Sequence, residues 1–287
     1  MSSAKSLTGP DDEPIRFPDN LNSPLSIFAF DGAFKISRSL SPGAADALMQ
    51  HAKDAVVRSA GKPYEYQRFK LLSVEDANSV AWKSPDKSGF YTFKDGTTVS
   101  FIADLIPEQK TLEILGSLRV RGDGEVPSMP GVCLPGLFIE RDGPDALRNV
   151  GVTFRLREHP DVLIFFHDLK VLKDQPRLTS RQKNEFVWTS EFGVGKTVKL
   201  HGVFPWRTVK LDGREGVGSF ATITRRDNST DYGYLVTAQG DLDAAADTPD
   251  LLLYVERNAS ASQGKSPVTA DELEKIGEEI AASIKRR

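Results

Sequence analysis

The sequence predicts an α+β protein of two domains, each a mainly antiparallel sheet with one or two packed helices, and three observations carry that expectation. Short runs that alternate apolar and polar residues outnumber the helical stripes. The helical stripes that do occur carry start signals of their own. A Gly/Pro-rich stretch, Arg121-Gly-Asp-Gly-Glu-Val-Pro-Ser-Met-Pro-Gly131, separates two strand-and-helix passages, and 287 residues is a length for about two domains. Strands with a few helices on one side define the class.

Residues 1–20, rich in Ser, Pro and Asp, are expected to form a flexible lead. Leu25–Phe30 and Ala33–Ile36 then alternate as half-buried strands do. Ser41-Pro42 starts a helix, with Ser as N-cap and Pro at the first helical position, and Ala44, Ala45, Leu48, Ala52, Ala55 and Val56 form its apolar stripe up to Gly61. Strands follow at Tyr64–Leu72 and Ser79–Trp82. Gly89–Phe93 and Thr97–Ile102 flank Asp95-Gly96, which supplies the positive-φ positions of a tight hairpin. Pro107–Leu118 reads as a second helix. The break at 121–131 sets the domains at 21–126 and 127–287, and no internal repeat of fixed period is present.

The second passage is richer in strands: Leu137–Ile139, Val150–Leu156, Val162–Phe166, Val198–Phe204, Thr208–Leu211, Phe220–Arg225, Tyr232–Ala238 and Leu251–Val255. The chain closes on a helix whose Thr269 and Glu272 form a capping box. Leu273, Ile276, Ile280, Ala281 and Ile284 make its buried stripe, and Lys285-Arg286-Arg287 complement its C-terminal dipole.

Composition narrows function. Lys plus Arg number 37 against 40 Asp plus Glu, so there is no basic excess to hold nucleic acid. No window approaches 18 consecutive apolar residues, so no integral membrane segment is expected in this chain. The N-terminal stretch lacks an apolar h-region and is not a signal peptide as it stands. Cys133 is the only cysteine, which removes any intrachain disulfide or cysteine-cluster metal site.

No motif supplies catalysis. Gly193-Val-Gly-Lys-Thr197 ends like a phosphate-binding loop, but Ser190 stands where that loop needs its first Gly. A strand rather than a helix is expected after it, and the segment reads as a hairpin turn. His51, His159, His167 and His201 lack ligand spacing, and no G-x-S-x-G elbow occurs. Arg121-Gly122-Asp123 is a Gly turn that matches an adhesion tripeptide by chance. The acid pairs Asp11-Asp12-Glu13, Asp241/Asp243 and Glu278-Glu279 read as surface charge. No catalytic residue, cofactor or metal site is therefore expected. The remaining signal is aromatic: Pro205-Trp206-Arg207 interrupts two strands, and Arg225-Arg-Asp-Asn-Ser-Thr-Asp-Tyr232 is a hairpin tip. Trp206, Arg207, Arg225, Arg226 and Tyr232 are the candidate partner-interface residues, because such side chains anchor interfaces and lie on loops between strands.

Val126-Pro-Ser-Met-Pro-Gly-Val-Cys-Leu-Pro-Gly136 resembles the P-x-x-P-G-F-C-I-x-G segment of the two-domain type VI secretion lipase immunity proteins. Val152–Val162, with its His159-Pro160-Asp161 turn, is similar to that family's strand and turn. Leu211-Asp-Gly-Arg-Glu-Gly216 is similar to its glycine-acid turn, Pro249–Tyr254 to its penultimate strand, and Ser283-Ile-Lys-Arg-Arg287 to its ending. Phe28–Phe34 lies where such proteins often carry Cys-x-Gly-Arg; that Cys and Arg are absent, so no disulfide is carried over to Cys133. The resemblance implies a non-catalytic periplasmic protein, its leader removed, that binds a cognate phospholipase effector one to one and covers its active-site mouth or lid. The other readings are a hydrolase whose site is built from scattered acids, and a periplasmic adaptor or binding protein; a cytoplasmic location is the alternative address.

Overall fold

The computed structural model describes residues 7–8, 14–15 and 25–38, scattered positions between 43 and 54, and residues 70–285 except 123, 135, 141–147, 172–176, 192–195 and 245–246. The chain groups into two compact units, Met1–Leu147 and Arg148–Arg287.

In the first unit, β1 (Leu7–Thr8) and β2 (Pro14–Ile15) form a short antiparallel ladder. The rest of the expected lead at 1–20 lies outside the described residues. The main sheet takes β3 (Leu25–Phe30), β4 (Ala33–Arg38), β5 (Lys70–Leu72), β6 (Ser79–Lys83), β7 (Lys87–Lys94) and β8 (Thr97–Asp104) in the order β3-β4-β8-β7-β6-β5, every pairing antiparallel. The β7–β8 hairpin turns where expected: Asp95 and Gly96 have φ of 45° and 72°, the two positive-φ positions of a type I′ turn. Its core is aromatic. The Phe34 and Phe101 ring centroids lie 4.7 Å apart, and those of Phe90 and Phe101 lie 5.0 Å apart. Helix α1 (Glu108–Gly116) packs on β7 and β6, and the buried Ser88 and Thr111 hydroxyls join helix to sheet at 2.7 Å.

Described positions between 43 and 54 are helical, with Met49 inward and Asp46, Ala47 and Gln50 outward; the expected Ser41-Pro42 start lies outside the described residues. The remainder of that helix, and the Tyr64–Leu72 strand before Lys70, lie outside the described residues. The chain ends this unit with a three-stranded sheet ordered β10-β11-β9, from β9 (Leu118–Val120), β10 (Val132–Leu134) and β11 (Leu137–Ile139). It joins residues on both sides of 126: Leu137 pairs with Val120, and Arg121 N–H donates to the Gly136 carbonyl at 3.1 Å.

The second unit is built on β12 (Arg148–Arg155), β13 (Val162–Leu169), β14 (Lys196–Leu200), β15 (Arg207–Leu211), β16 (Arg214–Arg225), β17 (Thr230–Ala238) and β18 (Asp250–Arg257). Their order is β14-β16-β17-β18-β13-β12, with β15 also on β16. Helices lie on both faces rather than on one. The C-terminal helix α3 (Ala270–Ser283) packs through Leu273 and Ala281 on Phe220, Tyr234, Val236, Leu253 and Val255. Helix α2 (Ser180–Phe186) and the π-turn Val187–Glu191 cover the opposite face, where Val187 and Trp188 meet Ala221, Ile223, Leu235, Leu252 and Tyr254. The alternation of β16 to β18 explains both layers, because successive side chains are apolar on both sides of the pleat. The capping box expected at Thr269 and Glu272 is present in both directions, and its hydrogen bonds to Thr269 hold the Glu272 carboxyl below its ordinary range. Helix α3 ends at Ser283, so Lys285 lies beyond its last turn.

Two contacts set the spacing of these layers. A Cβ on Gly277 would collide with the Tyr234 ring, and one on Gly233 would lie 2.8 Å from the Trp188 ring. Glycine is required at both places because an aromatic face occupies the space of a side chain.

Candidate functional site

In the second unit, the outer neighbour of β16 is an interrupted strand. β14 pairs with β16 down to Leu200 opposite Ala221, and β15 resumes with Arg207 opposite Gly218. Residues 201–206 therefore stand opposite Ser219 and Phe220 alone, and must loop outward. The expectation of a continuous strand over Val198–Phe204 fails at Leu200, because Gly202 takes φ of 84° and Pro205 carries no amide donor.

Both feet of the loop are fixed. His201 N–H donates to the Phe220 carbonyl at 2.9 Å, and its Nε2 lies 2.6 Å from Thr222 Oγ1. On the other side, Trp206 and Arg207 point to opposite faces of the sheet. The Arg181 guanidinium of α2 lies over the Trp206 ring, 5.2 Å from its centroid. Arg207 pairs with Glu274 of α3 and reaches Glu278 at 3.7 Å; the Glu274 hydrogen bond raises its pKa above the ordinary guanidinium value. Between the feet, Val203 is 90% exposed and Phe204 86%. Sequence reasoning chose the neighbours, Trp206 and Arg207, and missed the two side chains that the loop presents; the signal was Gly202 and Pro205 bracketing an apolar pair.

The other expected interface residues lie at the β16–β17 turn. Asp231, fully buried, is held between two guanidiniums: it pairs with Arg225, and Arg257 Nε donates to it at 3.1 Å. Ala259 N–H also donates to it, at 3.0 Å. Arg225 further approaches Glu256 at 3.6 Å. The Tyr232 ring lies under Arg257, 4.3 Å from its guanidinium carbon, and stacks on Phe220 with centroids 6.1 Å apart. Arg225 and Tyr232 are thus built into a charge cluster, whereas Arg226 is exposed at the tip. The structure gathers the five residues into two groups at different points along β16.

The segment ending in Gly-Lys-Thr continues as β14 from Lys196, a strand as expected. Among the described residues, no group of three His, Cys, Asp or Glu side chains could hold a metal ion. No described helix is long and apolar enough to cross a membrane. Cys133 is exposed on β10.

His167 couples burial to pH. Burial, and secondly the Lys183 ammonium, push its pKa from 6.5 down to about 4, against an opposing pull from Asp250. Its Nε2 lies 2.5 Å from Asn149 Oδ1. The folded state therefore favours the neutral ring: its contribution is complete above pH 6.5 and is lost as pH falls toward 4. Urea unfolding at pH 7 and pH 4 should show about 2–3 kcal/mol less acid sensitivity in His167→Gln than in the parent. Equal pH dependence in the two proteins would remove this account.

Solved immunity proteins share this fold. The chain is similar to immunity protein TplEi of the T6SS from Pseudomonas aeruginosa complexed with "L" peptide, and to a chain of the Tle4–Tli4 complex. In each case the TM-score is 0.58 at 15% identity, over 91% of this chain and 90% of the other. Apo TplEi matches with the same TM-score and coverage at 14% identity. No curated protein sequence matches. A family model described as the Tle cognate immunity protein 4 C-terminal domain matches residues 125–287. The chain belongs to that family.

Proposed function

We propose that this protein is the immunity partner of a type VI secreted lipase effector, binding it one to one and blocking the approach of lipid to its active-site mouth or lid, without catalysis. The observation that carries the reading is the family match over residues 125–287. A binding role also suits the fold, which offers a rigid sheet edge with an exposed apolar loop. The site of action is the periplasm, where a lipase that attacks membranes must be met; fractionation of native cells would check that address.

Protection from a toxin tolerates little free enzyme, so the affinity is of order nanomolar, near −12 kcal/mol. Titrating the purified protein into the lipase of the adjacent gene should bring phospholipid hydrolysis to zero near one equivalent. Undiminished hydrolysis at several-fold excess, with no co-elution, would overturn the proposal.

A further inference from the structure

We infer that Val203 and Phe204 form an apolar plug that enters the acyl-chain cleft of the cognate lipase, an inference that rests on the reading above. A soluble protein seldom leaves two consecutive large apolar side chains 90% and 86% exposed on a well-held loop. This loop is held on both sides: at His201 by Phe220 and Thr222, at Trp206 by Arg181, and at Arg207 by Glu274. A tip fixed in this way loses little conformational freedom on binding, which is what makes an exposed aromatic an anchor.

The shape and chemistry select the occupant. A convex tip two side chains wide fits a concave apolar site, and a lipase must carry such a site because its substrate's alkyl chains have to leave water. A second copy of this chain is a poor fit, because two side chains bury far less than the roughly 1,600 Å² of a stable interface. A lipid surface is also a poor fit. Stable attachment to membrane needs a second signal such as a polybasic patch, and the cations beside the loop do not make one: Lys199 and Lys210 stand singly on separate strands, and Arg207 is already taken by Glu274 and Glu278.

The test measures affinity for the lipase by calorimetry, using the full chain, Phe204→Ala and Val203→Ser, with Lys210→Ala as an exposed control on β15. Each lipase sample is run free and with its cleft filled by a covalent alkylphosphonate. The two loop variants should bind free lipase at least roughly 30-fold more weakly than the parent, with unchanged thermal unfolding. Filling the cleft should weaken the parent to the same level and leave Phe204→Ala unaffected. If the parent binds and Phe204→Ala binds equally well, the plug is wrong while the proposed function stands. If Phe204→Ala loses the same factor against free and filled lipase, the tip lies outside the cleft and the inference fails. Co-sedimentation of the parent with phosphatidylglycerol vesicles, lost in Phe204→Ala, would assign the tip to membrane instead. A parent that binds no lipase would remove both readings.

Discussion

Asp231→Ala should destabilise the second unit by about 3–5 kcal/mol, the cost of removing the shared partner from a buried ionic cluster. The Asp231 carboxylate has no exposure to solvent and serves Arg225, Arg257 and the Ala259 amide together. Its loss leaves the Arg257 guanidinium with two backbone carbonyls, Val268 and Thr230, and the Tyr232 ring, but no counter-charge on the side that Asp231 occupied. Arg225 suffers less, since it retains Glu256 within 3.6 Å and is more exposed. The β16–β17 turn and the segment leading into α3 should loosen together, because Arg257 joins Thr230 to Val268 across them. Chemical unfolding of the full chain measures the loss. A change below about 1 kcal/mol would show that water replaces the carboxylate at little cost, as at a surface pair.

Trp188→Ala should cost a similar amount, about 3–5 kcal/mol, for a different reason. Trp188 is 2% exposed and packs edge-on against Tyr254, with centroids 5.6 Å apart. Its indole N–H donates to Ser219 at 2.7 Å, the Ser219 hydroxyl donates to Asn184 at 2.6 Å, and the Asn184 amide donates to the Val217 and Leu235 carbonyls. Truncation opens a cavity and leaves the Ser219 hydroxyl without its donor. Trp188→Phe separates the two effects: it keeps most of the volume and should cost about 1–2 kcal/mol, the range of a lost buried hydrogen bond. Equal losses in the two variants would show that the hydrogen bond, not the packing, dominates.

The elements legible in the sequence are those whose signals are local. Asp95-Gly96 and Asp212-Gly213 both take positive φ at two-residue turns, because the backbone twist of a tight hairpin demands it. The Thr269–Glu272 box starts α3 for an equally local reason. Helix α2 carries the same signature in Thr179 and Gln182, and its capping box forms. Its periodic signal is weak because its inward residue is Asn184, so the stripe opens on a polar side chain, and because the helix passes within two turns into a π-turn. At the candidate site the limit is tertiary. Arg225 and Tyr232 have the side chains of an interface anchor, but Asp231 and Arg257 claim them, and Arg257 is distant in sequence. Val203 and Phe204 continued an alternating pattern, and periodicity alone does not reveal that β16 has only Ser219 and Phe220 left to offer them.

The break in the outer strand bears on solubility. A flat sheet edge offers a row of unpaired amides and carbonyls to any other chain, and growth by strand addition leads to fibres. Here β16 is flanked by two short strands in place of one long one, with an outward loop containing Pro205 between them and the exposed lysines Lys199 and Lys210 on either side. No second molecule can zip along that margin for more than a few residues before meeting the loop. The loop that displays an apolar tip thereby also guards this margin against strand addition.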